Sequence, residues 1–255
     1  AETARRLAGK LIIVGFSGTE PEHPGVAEVA RQLRDGTVGG VILMGRNIRD
    51  ATQLRRLTRH LQAATEAPVL IATDQEGGAV SRLPTDSGAL RWASARSLGQ
   101  LGEADLGAYY ALRARELAAL GITLNLAPVV DLARVDSPAI GARNRSFSGD
   151  PDRVARSARA FVQAHRDVGV LSALKHFPGH GSAREDSHRT LPDVSRVWSE
   201  DELEPFAALI RGGFADTVMM AHLDHPRFSD LPGRPASLSA RAYRTLRQDL
   251  GFTGV

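Results

Sequence analysis

The chain has 255 residues and a mass of 27.3 kDa, enough for one large domain whose core needs no disulfide or metal staple. Its 32 basic and 29 acidic residues give a net charge of +3, which excludes a dedicated polybasic binder of nucleic acids or membranes. The absence of cysteine excludes disulfides, thiolate metal sites and a cysteine nucleophile. No apolar run approaches the roughly 20 residues of a membrane span.

Short apolar runs alternate with amphipathic stretches in chain order. The pattern predicts strands at 11–16, 38–44, 69–74, 122–131, 170–175 and 216–222, with a seventh strand beginning at 254–255. It predicts helices at 24–36, 50–66, 102–120, 151–168, 199–212 and 239–250, with Ser199 as an N-cap. The strands are continuously apolar, which is typical of parallel strands covered by helices, so we expect an α/β protein.

Polar residues at the carboxyl ends of several strands favour a (β/α)8 TIM-type barrel over an open doubly wound sheet. They are Asp74, Asp131, Lys175, His176, His222 and Asp224. A barrel gathers such residues from many strands at one mouth, whereas an open sheet concentrates them at one switch point, usually with a glycine-rich phosphate loop. We expect a single domain over residues 1–255. Because six βα units cannot close an eight-stranded barrel, we expect about two further units after Val255.

The segment 175–192 carries the densest set of reactive side chains, since Lys175, His176, His180, Asp186 and His188 fall within fourteen residues. Five of the eight histidines lie between 176 and 225. Asp186 stands two residues before His188, where it can accept the imidazole N–H and leave the other ring nitrogen free to move a proton. A metal site is the competing interpretation, with candidate ligands His176, His180, His188, His222, Asp224 and His225. Their spacing matches no known metal signature, so we expect no cofactor.

Two further clusters are candidates for ligand binding. Asp74 begins the run DQEGG and is followed by Arg82; the Asp can accept paired hydroxyls, and the glycines at 77 and 78 would let the backbone approach a ligand. Arg145 lies in a loop and can donate bidentate hydrogen bonds. Lys175 is one of only two lysines beside 30 arginines, which suggests a need for a compact ammonium.

Together these motifs resemble glycoside hydrolase family 3, and more narrowly its NagZ-like β-N-acetylglucosaminidase branch. The motifs are DQEGG at 74–78, IGARNRSF at 140–147, KHFPGHG at 175–181, DSH at 186–188 and MMAHL at 219–223. The combination of KHFPGHG and DSH at this spacing is the most specific of them. The related β-glucosidase branch takes its acid from a second domain, so the DSH segment favours the glucosaminidase branch.

The resemblance implies a TIM-barrel retaining glycosidase that releases terminal β-linked N-acetylglucosamine from peptidoglycan-derived or chitin-type oligosaccharides. It implies an acid/base made of His188 and Asp186 on a mobile loop. It places the contacts to substrate hydroxyls on Asp74, Arg82, Arg145, Lys175 and His176. The carbohydrate is then the expected partner, and the protein is cytoplasmic, or exported if a leader was cleaved before Ala1.

The sequence departs from the family pattern at two places. The family nucleophile is an Asp that would follow Val255 by four or five residues, so we expect it just beyond residue 255. Ala79 stands where the family usually has Arg, a change that bears on the loop more than on the sugar. Three alternatives remain open: a family-3 β-glycosidase or phosphorylase, an inactive carbohydrate-binding fragment, and a metal-dependent barrel hydrolase.

Overall fold

The computed structural model describes residues 2–83 and 91–255, and six of its strands form one parallel sheet. The strands are β1 Ile13–Gly15, β2 Gly40–Leu43, β3 Leu70–Thr73, β4 Leu124–Asn125, β5 Leu171–Phe177 and β6 Thr217–Met220. They lie in the order β1-β2-β3-β4-β5-β6, and every neighbouring pair is parallel. The predicted α/β class with parallel strands is therefore confirmed, although β1 is largely exposed and β6 only partly buried.

The helices are α1 Glu2–Gly9, α2 Pro24–Arg34, α3 Ala51–Gln62, α4 Ala95–Leu98, α5 Glu103–Ala119, α6 Pro151–Arg166, α7 Glu204–Arg211 and α8 Ala240–Arg244. Helices α2 to α7 lie between consecutive strands, whereas α1 precedes β1 and α8 follows β6. Asp50 and Asp150 cap α3 and α6 by accepting backbone N–H groups, and α6 begins with Pro151 at a position that needs no N–H. Within the described ranges, no helix is long and apolar enough to cross a bilayer.

The sheet is curved around a cavity at its carboxyl edge. Ile42 on β2 and His222 after β6 line this same cavity, although four strand-to-strand steps separate β2 from β6. Such convergence is the geometry of a barrel mouth, as predicted. Residues 254–255, predicted to begin a seventh strand, form no strand here, but Val255 lies beside β6: Val218 N–H donates to Val255 O at 2.7 Å and Val255 N–H donates to Asp216 O at 3.4 Å.

Some predicted boundaries were wrong. The strand predicted at 122–131 is continuous only over Leu124–Asn125, and pairing resumes as a single bridge between Val129 and Lys175. Pro128 lies between these pairings and lacks the N–H that a continuous ladder requires. The helix predicted from Ser199 opens instead as a 3₁₀ turn, Glu200–Leu203, and Ser199 makes no capping hydrogen bond through its side chain.

A buried histidine links the helical layer to the cavity. His165 on α6 stacks on Phe161 at 3.9 Å between ring centroids, and its Nε2 lies 3.2 Å from Asn125 Nδ2. Burial lowers the pKa of His165 to about 4, so the ring is neutral. The Asn125 side chain bonds both backbone groups of Gln75, which follows β3: its Oδ1 accepts Gln75 N–H and its Nδ2 donates to Gln75 O. These bonds anchor the backbone next to Asp74.

Candidate active site

The cavity at the carboxyl edge has a volume of about 390 Å³ and brings the predicted residues together. Its lining includes Asp74, Arg82, Arg145, Lys175, His176 and His188. Asp186 lies next to the lining and is bonded to His188. A volume of this size falls within the range of small-molecule sites, at the edge where barrel enzymes place their chemistry.

Lys175 is buried between two carboxylates at the floor of the cavity. Its Nζ lies 2.5 Å from Asp74 Oδ1 and 2.6 Å from Glu76 Oε1, and the side chain is 2% exposed. Arg82 Nη2 donates to the other oxygen of Asp74 at 3.2 Å. A compact ammonium fits between two carboxylates where a planar guanidinium would need more room, which agrees with the rare use of lysine in this chain.

Glu76 and Arg145 form a second buried ion pair beside Lys175. Arg145 donates to both Glu76 oxygens, from Nε at 2.8 Å and from Nη2 at 2.7 Å. Burial alone would raise the pKa of Glu76, but the charges of Lys175 and Arg145 outweigh it and lower that pKa to about 2. Because Arg145 uses two N–H groups on Glu76, only its remaining N–H groups are open to a ligand in the cavity.

The glycines after Glu76 do not line the cavity, so the prediction that they bring backbone to a ligand was wrong. Gly77 and Gly78 have φ values of +98° and +56°. A Cβ at Gly77 would lie 2.3 Å from Ala93 O, and one at Gly78 would lie 2.9 Å from Ser94 Cβ. The two glycines instead let this turn pack closely against the segment before α4.

His176 is oriented by a carboxylate behind it. Asp131 Oδ2 lies 2.6 Å from His176 Nδ1, and Asp131 Oδ1 accepts the backbone N–H groups of His176 at 3.0 Å and His180 at 2.8 Å. Burial would raise the pKa of Asp131, but the neighbouring His176 outweighs it and lowers that pKa. The carboxylate fixes Nδ1 as the protonated nitrogen and leaves Nε2 toward the cavity.

Asp186 and His188 form the predicted dyad at the rim of the cavity. Asp186 Oδ1 lies 2.8 Å from His188 Nδ1 and also accepts the backbone N–H of His188 at 3.0 Å. These two hydrogen bonds, the backbone one first, lower the pKa of Asp186. The His188 side chain is 80% exposed, so its Nε2 is accessible to a group entering from solvent. This arrangement can transfer a proton without a metal.

The other candidate metal ligands point in different directions. His222 lines the cavity and bonds Ser237 Oγ at 2.7 Å, whereas Asp224 accepts Gly233 N–H at 2.7 Å outside the cavity. His225 accepts a backbone N–H from Arg227 and packs against Trp198. Among residues 2–83 and 91–255, no three His, Cys, Asp or Glu side chains form a group that could hold a metal ion.

Sequence reasoning gave no role to two buried acids and left one histidine without a function. Glu76 and Glu202 are 6% and 0% exposed, and each contacts a segment that lines the cavity. His180 is 3% exposed, lines the cavity, and has no hydrogen-bond partner for either ring nitrogen within the described part of the chain. Burial lowers the pKa of His180, so it is a neutral imidazole. Glu202 sits among exposed acids in the run SEDELE, where nothing in the pattern marks it as buried.

Residues 8–255 match the description "Glycosyl hydrolase family 3 N terminal domain". A protein described as a beta-hexosaminidase from Xanthomonas axonopodis pv. citri is 41% identical in an alignment of 256 positions that covers 96% of this chain and 73% of that protein. The structure of a glycoside hydrolase family 3 beta-N-acetylglucosaminidase from Paenibacillus sp. FPU-7 is similar with a TM-score of 0.89 and 35% identity, over 98% of this chain and 48% of that one. NagZ from Neisseria gonorrhoeae in complex with N-trifluoroacetyl-D-glucosamine gives a TM-score of 0.85 and 34% identity, over 96% and 72% of the two chains.

The parallel sheet curved around a cavity lined by both charged and apolar side chains, together with these similarities, defines a glycosidase of the barrel type. The chain belongs to glycosyl hydrolase family 3. It spans about half of the Paenibacillus enzyme and about three quarters of the Xanthomonas protein.

Proposed function

We propose that the protein is a retaining β-N-acetylglucosaminidase that releases terminal β-linked N-acetylglucosamine from oligosaccharides. The observation that carries the proposal is the Asp186–His188 dyad at the rim of a cavity whose floor is lined with charged hydrogen-bonding groups. Two proteins similar to this chain support the sugar class, since one is described as a beta-hexosaminidase and another was crystallised with N-trifluoroacetyl-D-glucosamine.

The floor of the cavity binds the sugar in this proposal. Asp74 accepts hydrogen bonds from sugar hydroxyls, and Arg82, Lys175 and the free Nε2 of His176 complete a polar surface for them. Asp74 is already bonded through both oxygens to cations, which suits a group that orients hydroxyls more than one that attacks carbon. The buried ion pairs hold these groups in place before substrate arrives.

Catalysis proceeds in two steps. A carboxylate, which we place just after residue 255, attacks the anomeric carbon while the imidazolium of His188 gives its Nε2 proton to the departing oxygen. Neutral His188 then takes a proton from water, and the resulting nucleophile attacks the anomeric carbon and releases the carboxylate. Asp186 stabilises the imidazolium and holds the ring in one orientation.

The test uses the full-length protein and aryl β-N-acetylglucosaminides with good and poor leaving groups. In kcat/KM, which reports only the first step, His188→Ala should slow the phenyl glycoside by about 10²-fold or more and the 2,4-dinitrophenyl glycoside much less, because only the poor leaving group needs a proton. His60→Ala, a histidine on α3 outside the cavity, is the matched control and should behave as the wild type. Equal slowing of both substrates by His188→Ala would refute the assigned role, and no turnover by the wild type would refute the function.

A further inference from the structure

Glu202 is a fully buried acid that the proposed chemistry does not use. It lies in the 3₁₀ turn before α7 and is 0% exposed. Its Oε2 accepts the backbone N–H of Gly181 at 3.1 Å, and its Oε1 accepts a short hydrogen bond from Ser182 Oγ. Both partners belong to the segment that leads from β5 to the Asp186–His188 dyad.

Glycines allow the backbone to approach Glu202 this closely. A Cβ added at Gly179 would lie 2.5 Å from the Cβ of Glu202. At Gly181 it would lie 2.2 Å from Leu132 O and 3.0 Å from Glu202 Oε2. Any larger residue at either position would therefore push the segment away from Glu202. The two glycines of the run PGHG thus let the backbone fit between the turn that carries Glu202 and the backbone at Leu132.

A second buried acid holds the same segment from the other side. Asp131 accepts the backbone N–H groups of His176 and His180. The backbone from 176 to 182 is therefore fixed by two carboxyl groups, and Asp186 follows Ser182 by only four residues. Burial, together with the charge of Asp131, raises the pKa of Glu202 to about 7. Glu202 is consequently neutral in mildly acidic solution, which suits a buried group that receives only two hydrogen bonds.

We propose that Glu202 is a positioning residue for the proposed general acid: it fixes the start of segment 182–188, so that the Asp186–His188 dyad lies at the rim of the cavity. The inference rests on the proposed function. It extends that function by identifying what holds an otherwise exposed dyad in place, since the His188 side chain is 80% exposed and, among residues 2–83 and 91–255, Asp186 is the side chain that bonds it. A displacement of about 1 Å is enough to impair proton transfer to a leaving oxygen.

The test measures leaving-group sensitivity in the full-length protein. Glu202→Leu keeps the size of the side chain and removes both hydrogen bonds. The measured quantity is kcat/KM for the phenyl glycoside divided by kcat/KM for the 2,4-dinitrophenyl glycoside. We expect this ratio to fall by about tenfold, because general acid catalysis is impaired while sugar binding is retained. Glu202→Gln keeps an acceptor for Gly181 N–H and should restore most of the ratio. Ser182→Ala removes one of the two contacts and should lower the ratio by a smaller factor, which keeps the test valid if the Leu variant does not fold.

The control is Glu204→Leu, which changes an exposed acid two residues away in the same segment and should leave the ratio unchanged. A merely structural role for Glu202 would lower both rates equally, in proportion to the folded fraction, and that result would overturn the inference. His188→Ala in parallel separates the two claims. If His188→Ala lowers the ratio and the Glu202 and Ser182 variants do not, this inference alone fails; if His188→Ala leaves the ratio unchanged, the role proposed for His188 fails, and the inference fails with it.

Discussion

Replacing Lys175 by methionine should destabilise the protein strongly, because it leaves buried carboxylates without their ammonium. Lys175 Nζ lies within 2.6 Å of Glu76 and 2.5 Å of Asp74, and its side chain is 2% exposed. Removing one partner of a buried ion pair typically costs about 3–5 kcal/mol. For a domain of this size that corresponds to a fall in Tm of roughly 6 to 20 °C. Urea unfolding followed by tryptophan fluorescence measures the loss.

The pH dependence of the loss tests its cause. The folded-state pKa of Glu76 is about 2, below its ordinary 4.5, so its ionised form stabilises the fold above pH 4.5 by about 3 kcal/mol. That contribution disappears as the pH falls through about 2. Lys175→Met weakens the contribution of ionised Glu76. The difference in free energy of unfolding between wild type and variant should therefore be widest above pH 4.5 and should narrow at about pH 3. A loss below about 1 kcal/mol, or a gap that does not change with pH, would refute the reasoning.

Three further predictions follow from the buried and paired acids. Asp186→Asn removes the charge that stabilises the imidazolium, so kcat/KM should fall more for the phenyl than for the 2,4-dinitrophenyl glycoside; equal falls would contradict the dyad. Glu202→Gln removes an acid whose folded pKa is raised to about 7, so it should gain stability relative to the wild type as the pH rises from 4.5 to above 7, by up to about 3 kcal/mol in urea titrations; a constant difference would be inconsistent with this. Asp131→Asn should raise KM more than it lowers kcat by releasing His176, and a pure kcat effect would argue against substrate contact.

The course of the strands could be predicted because buried parallel strands are continuously apolar, and five of the six were found close to the expected positions. The exception, 122–131, was shortened by a proline that local apolarity does not register. The amphipathic helix α1 lies before the first predicted strand and was not anticipated. The single-domain assignment over 1–255 stays a prediction.

The cavity-facing residues could be named because each stands in a motif, but apart from the Asp186–His188 pair their partners could not. Glu76 pairs with Arg145 across 69 positions of sequence, and Glu202 meets Gly181 across 21. Such pairings depend on how two loops pack, which no local pattern encodes. Arg145 illustrates the consequence, because its bidentate fork was expected on a ligand and lies on a buried carboxylate.

The stereochemistry of the first product tests the central claim most directly. The full-length protein is mixed with p-nitrophenyl β-N-acetylglucosaminide in phosphate-free buffer, and the anomeric protons are followed by NMR before mutarotation. A retaining β-N-acetylglucosaminidase forms β-N-acetylglucosamine first, and the α-anomer grows in later. Initial formation of the α-anomer would contradict the account. So would turnover that occurs only in a second run with added phosphate and yields a sugar phosphate.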